Sequence, residues 1–151
     1  MSFFSGVYHN KRVLITGHTG FKGSWLSSWL VKLGAEVCGY SNTIPTEPSL
    51  FSMTNLGERI RHELGDIRDS KRLNEVVQNF KPDFIFHLAA QAIVSTSYAD
   101  PLETISTNVM GTAALLDALR SVTWPCTVVI ITSDKAYFNV EWLWGYREND
   151  R

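Results

Sequence analysis

Short apolar runs alternate along the chain with segments whose apolar residues recur at helical spacing. Five runs, at positions 12–16, 36–40, 60–64, 83–88 and 126–132, have the length and the β-branched or aromatic content of strands. The runs at 83–88 and 126–132 lack a clean alternation of apolar and polar residues, which is typical of strands buried on both faces. The pattern therefore predicts five strands in the interior of the protein.

Three longer helices are predicted between these runs. The first follows Gly17, the second is capped by Asp69, and the longest begins at Asp100 and Pro101, an N-cap followed by a proline in the first turn. The apolar positions are Phe21, Trp25, Trp29 and Leu33 in the first helix, and Leu73, Val76, Val77 and Phe80 in the second. In the third helix, Leu102, Ile105, Val109, Leu116 and Leu119 are predicted to form a buried stripe.

Strands that alternate with helices imply right-handed crossovers and a parallel sheet covered on both faces. The predicted fold class is therefore α/β, a doubly wound parallel sheet of the Rossmann type, in one domain that spans residues 1–151. Such sheets bind ligands beyond the carboxyl ends of their strands, so the segments that follow the strands are the candidates for function.

Composition narrows the class of protein further. Fourteen Lys and Arg residues balance fifteen Asp and Glu residues, and no dense basic stripe is present, so nucleic acid is not an expected partner. No apolar run approaches a membrane span and the first ten residues do not resemble a signal peptide, so we expect a cytoplasmic protein. Cys38 and Cys126 lie in apolar stretches and are expected to be reduced and structural. No metal site is predicted.

A glycine-rich turn follows the first predicted strand and opens the first helix. Gly17, Gly20 and Gly23 are spaced as GxxGxxG, which lets the backbone turn sharply and approach a pyrophosphate at the helix N-terminus. A tight turn whose glycines serve sterics alone is the alternative. A P-loop is excluded because Lys22 precedes Gly23, whereas a P-loop requires glycine before lysine.

The segment TGHTGFKG at 16–23 resembles the TGxxGFxG signature of extended short-chain dehydrogenases/reductases. This resemblance implies a Rossmann-type domain that binds NAD, with Phe21 and Lys22 among the cofactor-binding residues. Asp66 and Ile67 resemble the motif that meets the adenine, although an exposed loop aspartate needs no ligand to explain it. The HLAAQ segment at 87–91 resembles a motif that lines the cofactor through Ala89, Ala90 and Gln91, while His87 is expected to be a core histidine.

The end of the second strand lacks the acid that usually accepts hydrogen bonds from the ribose of NAD. Asn42 is the candidate for that contact, and no arginine is present at this turn to favour a 2′-phosphate. The preference for NAD over NADP therefore depends on the family resemblance. Asn108 lies in an NxxGT stretch that, by the same resemblance, supports the active site beneath the cofactor.

Ser133, Asp134 and Lys135 follow the fifth strand and resemble the chemistry segment of sugar-nucleotide 4,6-dehydratases. The resemblance implies that Ser133 assists a tyrosine base, that Asp134 protonates the departing C6 hydroxyl, and that Lys135 removes the C5 proton. The Asp-Lys pair and the run EWLWGYREND at 141–150 are similar to the members of this family that act on CDP-glucose. A polar strand end with a solvated ion pair is the alternative.

The catalytic Tyr-x-x-x-Lys motif of the family does not occur within the 151 residues. We therefore expect a C-terminally incomplete unit that is inactive alone, and that pairs with a second copy through the helix from Pro101, as family members do. A sister dehydratase, a sugar-nucleotide 4-epimerase and a non-catalytic NAD-binding module remain as alternatives.

Overall fold

A computed structural model describes residues 3–151, apart from the side chains of Phe3 and Asp134. The strands are β1 (Arg12–Thr16), β2 (Glu36–Ser41), β3 (Arg61–Leu64), β4 (Phe84–His87) and β5 (Thr127–Ile130). They form one sheet in the order β3-β2-β1-β4-β5, and every neighbouring pair is parallel. The predicted doubly wound α/β class is confirmed.

The helices are α1 (Phe21–Lys32), α2 (Leu50–Met53), α3 (Ser70–Phe80), α4 (Val94–Ala99), α5 (Pro101–Ile105) and α6 (Gly111–Leu119). A π-helical turn, Ser106–Met110, joins α5 to α6. Short 3₁₀ turns occupy Phe3–Gly6, Leu56–Glu58 and Asp134–Ala136. The caps predicted at Asp69 and Asp100 are confirmed, because each side chain accepts a hydrogen bond from the backbone N–H three residues later.

The sheet separates two apolar layers. On one face, α3 and α6 pack against residues such as Leu14, Tyr40 and Ile85, which are fully buried. On the other face, α1 packs through Leu30 against Val13 and its neighbours. Because successive side chains of a strand point to opposite faces, β1 contributes to both layers and is the most enclosed strand.

The prediction of a buried stripe along the longest helix is wrong. Leu102, Ile105, Val109 and Leu116 are 77%, 55%, 58% and 48% exposed, and of the predicted set only Leu119 packs against the core. The buried positions of α6 are Gly111, Ala114, Leu115 and Ala118. The π-helical turn contains an additional residue, which rotates the helix and turns its small residues toward α3.

The aromatic positions of α1 also face outward. Phe21, Trp25 and Trp29 are 75%, 57% and 50% exposed, whereas Gly23, Ser24, Ser27 and Leu30 form the buried face. Small residues on that face let the helix approach the sheet closely. Helical spacing therefore located α1 correctly but did not reveal which side of it is buried.

Both cysteines are free thiols. Cys38 is buried and Cys126 is half-buried, and burial raises the pKa of Cys38 to about 12. The expectation of reduced, structural thiols is confirmed for Cys38. Across residues 3–151, none of the helices has the length and apolar character needed to cross a bilayer.

Candidate functional site

A cavity of about 210 Å³ lies where four strands end at their carboxyl ends. Seven of the predicted cofactor-binding residues line it, namely Gly17, Gly20, Asn42, Asp66, Ile67, Ala89 and Ala90. The other lining residues, which sequence reasoning missed, are Thr19, Tyr40, Ser41, Thr43, Pro45, Gly65, Leu88 and Thr107. Tyr40 and Ser41 end β2, and Gly65 and Leu88 directly follow β3 and β4, so the position at a strand end is the signal by which these four could have been found.

Parallel pairing aligns the strand ends around this cavity. Thr16 pairs with Tyr40 on one side and with His87 on the other. The ladder then continues one step beyond the strands, since the Gly17 N–H donates to the Tyr40 carbonyl at 2.9 Å and the Leu88 N–H to the Thr16 carbonyl at 3.0 Å. The glycine turn is therefore held between the loops that follow β2 and β4.

The glycine turn leaves no room for a side chain at two of its three glycines. Gly17 has φ +76°, and a Cβ built there would lie 2.7 Å from the backbone N of Ala89. A Cβ at Gly23 would lie 2.2 Å from the Gly17 carbonyl oxygen, whereas one at Gly20 would meet nothing closer than 3.4 Å. Gly17 and Gly23 therefore shape the turn, and Gly20 leaves space at the cavity wall.

The N-terminus of α1 opens at this turn without a capping side chain. Gly20 is the N-cap residue, it offers no side-chain hydrogen bond, and the first turn contains no acidic residue. The free backbone N–H groups and the positive end of the helix dipole favour an anion here. Phe21 and Lys22 are exposed in this first turn, and neither they nor Gly23 line the cavity.

The glycine turn contains a buried histidine. His18 is fully buried, and its ring nitrogens lie 3.0 Å from Ser41 Oγ and 2.7 Å from Nδ1 of His62. A Cβ on Gly39 would lie 2.2 Å from the His18 ring, so the glycine in β2 makes space for it. Burial, with a smaller contribution from His62, lowers the pKa of His18 to about 4.

This histidine should make stability depend on pH. The pKa of His18 is about 4 in the fold against an ordinary 6.5, so the unfolded chain binds more protons between these values. Unfolding free energy is therefore expected to fall on acidification from pH 6.5 to about pH 4, by up to about 3 kcal/mol for this group. Urea unfolding measured at several pH values checks this, with His18→Asn expected to flatten the slope. An unchanged slope in that variant would assign the dependence to other groups.

The loop after β4 is fixed by the π-helical turn. The Asn108 side chain accepts a hydrogen bond from the Gln91 N–H at 2.8 Å and donates one to the Gln91 carbonyl at 3.0 Å. The Gln91 side chain in turn contacts Ile93 and the Thr104 hydroxyl. Gln91 and Asn108 do not line the cavity; they support the loop that brings Ala89 and Ala90 to it.

His87 is buried and has a polar partner on each side. Its Nδ1 lies 2.7 Å from Thr16 Oγ1 and its Nε2 lies 3.1 Å from Thr112 Oγ1. Burial lowers the pKa of His87. The prediction of a satisfied core histidine is confirmed.

Among the side chains that the structure describes, Asp66 presents the only carboxylate that lines the cavity. Hydrogen bonds from Arg68, and further hydrogen bonding by the Asn42 side chain, hold the pKa of Asp66 below its usual value. The Tyr40 hydroxyl donates to the Asp66 backbone carbonyl at 2.9 Å and fixes the loop from below. An ionised acceptor therefore lies at the cavity wall beside the end of β3.

A second depression, of about 420 Å³, lies between α3 and α6. It is lined by Ser70, Lys71, Asn74, Asp117, Ala118, Arg120 and Ser121, and it is wide open to solvent. It contains none of the predicted site residues. In the part of the chain that the structure describes, no group of three or more His, Cys, Asp or Glu side chains is arranged to hold a metal ion.

Comparison with known proteins identifies the family to which the chain belongs. A family model described as GDP-mannose 4,6-dehydratase matches residues 14–145. The chain belongs to this family.

The curated relatives of this GDP-mannose 4,6-dehydratase family member include sugar-nucleotide enzymes. The chain is 53% identical over 143 residues to the CDP-glucose 4,6-dehydratase of Salmonella typhimurium, which covers 95% of the chain and 40% of that relative. A dTDP-glucose 4,6-dehydratase of the same organism is 32% identical over 111 residues, covering 72% of the chain and 31% of the relative. The chain thus spans less than half the length of these relatives.

Solved structures of sugar-nucleotide epimerases share the fold. The UDP-glucose 4-epimerase of Thermus thermophilus in complex with NAD superposes with a TM-score of 0.66 and 32% identity, covering 74% of the chain and 34% of the epimerase. The predicted Rossmann-type fold is therefore confirmed for this member of the GDP-mannose 4,6-dehydratase family.

The three candidate catalytic residues of this family member follow β5. Ser133 precedes the 3₁₀ turn Asp134–Ala136, and its Oγ accepts a hydrogen bond from the Lys135 N–H at 3.2 Å. Ser133 and Lys135 are exposed, and the Asp134 side chain lies outside the described residues. Ser133 and Lys135 thus follow the same edge of the sheet as the cavity, and neither of these two lines it.

The segment after this turn folds back on itself. Tyr137 stacks on Tyr146 with ring centroids 5.0 Å apart, and the Tyr146 hydroxyl donates to Asn139 Oδ1 at 2.8 Å. The Phe138 N–H donates to the Arg151 carbonyl at 2.6 Å and brings the ends of the segment together. The aromatic run at 141–150 therefore belongs to a closed loop next to the candidate catalytic residues.

Proposed function

We propose that this chain is the N-terminal, NAD-binding part of a CDP-glucose 4,6-dehydratase. The complete protein would convert CDP-glucose to CDP-4-dehydro-6-deoxyglucose with loss of water. The observation that carries this proposal is the 53% identity to a CDP-glucose 4,6-dehydratase over 95% of the chain. The 32% identity to a dTDP-glucose 4,6-dehydratase, over 72% of the chain, favours the CDP-sugar among the substrates of such enzymes.

The residues around the cavity fit NAD. The uncapped N-terminus of α1 and the space at Gly20 suit a pyrophosphate, and Ala89 and Ala90 are small enough for close approach of a dinucleotide. The Asp66 carboxylate and the Ile67 backbone would contact the adenine. The Asn42 side chain would accept a hydrogen bond from a hydroxyl group of the ribose. No arginine lines the cavity to attract the 2′-phosphate of NADP.

The segment after β5 would supply the groups for dehydration. When bound, NAD would provide the hydride acceptor for oxidation at sugar C4 and the hydride donor for reduction at C6. Ser133 would hydrogen-bond the C4 hydroxyl and assist a tyrosine base, Asp134 would protonate the departing C6 hydroxyl, and Lys135 would remove the C5 proton. A ketone at C4 acidifies the C5–H bond, so a neighbouring acid and base suffice for the elimination.

The reaction is assigned to a protein longer than these 151 residues. None of the five tyrosines is followed by lysine four residues later, so the usual tyrosine base and its lysine are not present here. We propose that the chain alone binds NAD without turning over CDP-glucose, which is also what a non-catalytic NAD-binding module would do.

A sugar-nucleotide 4-epimerase is the second candidate. It is favoured by the epimerase structures that superpose on the chain, one of them with a TM-score of 0.77 at 26% identity. The sequence Asp134-Lys135 opposes it, because epimerisation at C4 removes no water from C6 and needs no acid and base there.

Pairing of two copies is supported by the apolar residues that α5 and its continuation expose. Leu102, Ile105, Val109 and Leu116 are each at least 48% exposed, on a helix that begins with an ordered cap at Asp100. A stripe of this kind on a monomer usually marks an interface. We infer that this helix contacts its counterpart in a second copy.

Calorimetric titration of the 151-residue chain tests the proposal. NAD is expected to bind saturably to the folded chain, with a smaller affinity for NADP, and CDP-glucose incubated with the same sample is expected to remain unconverted. A chain that is folded by circular dichroism but takes up no NAD would remove the cofactor assignment. Formation of a 4-keto sugar would contradict the assignment of turnover to a longer protein.

A further inference from the structure

The Arg68 side chain donates four hydrogen bonds near the cavity. Its Nε donates to Asp66 Oδ1 at 2.9 Å and its Nη2 donates to Oδ2 at 2.6 Å. Its backbone N–H donates to Oδ1 as well, at 2.8 Å. A two-pronged contact between guanidinium and carboxylate is stronger and more directional than a single hydrogen bond between neutral groups.

The other arm of Arg68 anchors the pair to the helix beyond β4. Nη1 donates to Glu103 Oε2 at 2.6 Å and to Ser106 Oγ at 3.0 Å. Glu103 also accepts from the hydroxyl of Thr107, a residue that lines the cavity, at 3.2 Å. Arg68 therefore spans from the loop after β3 to the π-helical turn, and both of its ends are fixed.

Arg68 leaves Asp66 with a defined remaining acceptor. A carboxylate offers about four lone-pair positions, and Arg68 fills both on Oδ1 and one on Oδ2. The fourth position belongs to Oδ2. Asp66 and Asn42 both line the cavity, and the Asn42 side chain hydrogen-bonds to this carboxylate, so a ligand in the cavity would take this position in place of Asn42.

An ionised carboxylate held in one orientation accepts hydrogen bonds and donates none. It would attract a 6-amino purine, which offers an N–H donor, and repel a 6-oxo purine, which offers an acceptor. Without Arg68, the Asp66 side chain could rotate away or accept a proton, and the discrimination between the two purines would weaken.

We propose that Arg68 is a positioning residue that sets the base selectivity of the cofactor site, by holding Asp66 as a fixed acceptor for the 6-amino group of adenine. This inference rests on the proposed binding of NAD in the cavity. It adds that the selection of the base depends on an arginine that does not itself line the cavity.

The test compares NAD with nicotinamide hypoxanthine dinucleotide, in which a 6-oxo group replaces the 6-amino group. Calorimetry on the 151-residue chain is expected to give a dissociation constant roughly tenfold or more lower for NAD, as for a hydrogen bond to a charged group. In Arg68→Met the ratio is expected to fall below about threefold, mainly through weaker binding of NAD. A role of Arg68 in folding alone would weaken both ligands equally and leave the ratio unchanged.

Arg72→Met is the matched control. Arg72 forms an ion pair with Glu63, is similarly exposed, and does not line the cavity. This variant should keep the selectivity of the parent chain. Should Arg68→Met fail to fold, Arg68→Lys decides by the same ratio, because it retains the charge and loses the two-pronged contact.

Failure of the cofactor proposal and failure of the proposed role of Arg68 give different results. Absence of saturable NAD binding by the folded parent chain would overturn the cofactor proposal and this inference together. An unchanged base selectivity in a folded, NAD-binding Arg68 variant would overturn the role of Arg68 and leave the cofactor proposal standing.

Discussion

Gly23→Ala is expected to lower the free energy of unfolding by about 3 kcal/mol, the upper part of the range for forced overpacking. A Cβ at this position would lie 2.2 Å from the Gly17 carbonyl oxygen and 2.7 Å from the Cα of His18. Both contacts are with backbone atoms, which no rotamer change can move aside. Gly23 lies inside α1, where alanine is intrinsically preferred over glycine by about 1 kcal/mol. A lower stability of the alanine variant would therefore have to come from the steric conflict.

Urea unfolding monitored by far-UV circular dichroism measures this loss, and Gly20→Ala is the matched control three residues earlier. A Cβ at Gly20 would meet nothing closer than 3.4 Å, so that variant should lose no more than about 1 kcal/mol, the usual cost of alanine at an N-cap. Equal stability of the Gly23→Ala variant and the parent chain would mean that α1 can move away from the glycine turn, and that Gly23 is not required for the packing between them.

The positions of the strands could be predicted from the sequence because each strand is a compact apolar run. The predicted bounds of β1 agree with the structure at both ends, and the other four strands begin and end within two residues of their predicted bounds. The burial of α3 was also predictable, since Leu73, Val76, Val77 and Phe80 are its only strong apolar positions and all four are buried. Periodicity is reliable when a helix has one apolar face.

Periodicity failed where a helix has a choice of faces. In α1 the large aromatic residues form one stripe and small residues form another, and close packing on the sheet selects the small ones. The π-helical turn between α5 and α6 shifts the buried face of one helix relative to that of the other. No residue type in Ser106–Met110 predicts this turn. Sequence spacing alone cannot decide such cases, because the outcome depends on how closely two elements approach.

The candidate site was predictable where a residue contacts the cavity through its position after a strand. Ala89 and Asp66 are of this kind, and both line the cavity. The relation between His18 and Gly39 was not predictable, because it joins two residues that are 21 positions apart through the shape of the space between β1 and β2. The supporting contacts that Arg68 and Asn108 make between separate segments were not predictable for the same reason, because they join residues that are far apart in the sequence.

Gly20→Val is expected to weaken NAD binding by about 100-fold or more while the fold persists. A 100-fold change corresponds to a loss of about 2.7 kcal/mol in binding free energy. Gly20 lines the cavity and has backbone angles of φ −70° and ψ 168°, an extended conformation that valine adopts readily. A Cβ at this position would meet no atom closer than 3.4 Å, and the valine methyl groups would project beside the N-terminus of α1, where the pyrophosphate is proposed to lie.

Calorimetry with NAD measures the loss, and the urea midpoint verifies that the variant is folded. Met53→Val is the control, since Met53 is 74% exposed on α2, does not line the cavity, and receives the same new side chain. Its affinity for NAD should equal that of the parent chain. If Gly20→Val bound NAD as tightly as the parent chain, the ligand would approach from another direction, because a valine at this wall of a 210 Å³ cavity cannot share the space with a pyrophosphate. The glycine turn would then serve only to pack α1 on the sheet, which is the alternative left open by its sequence.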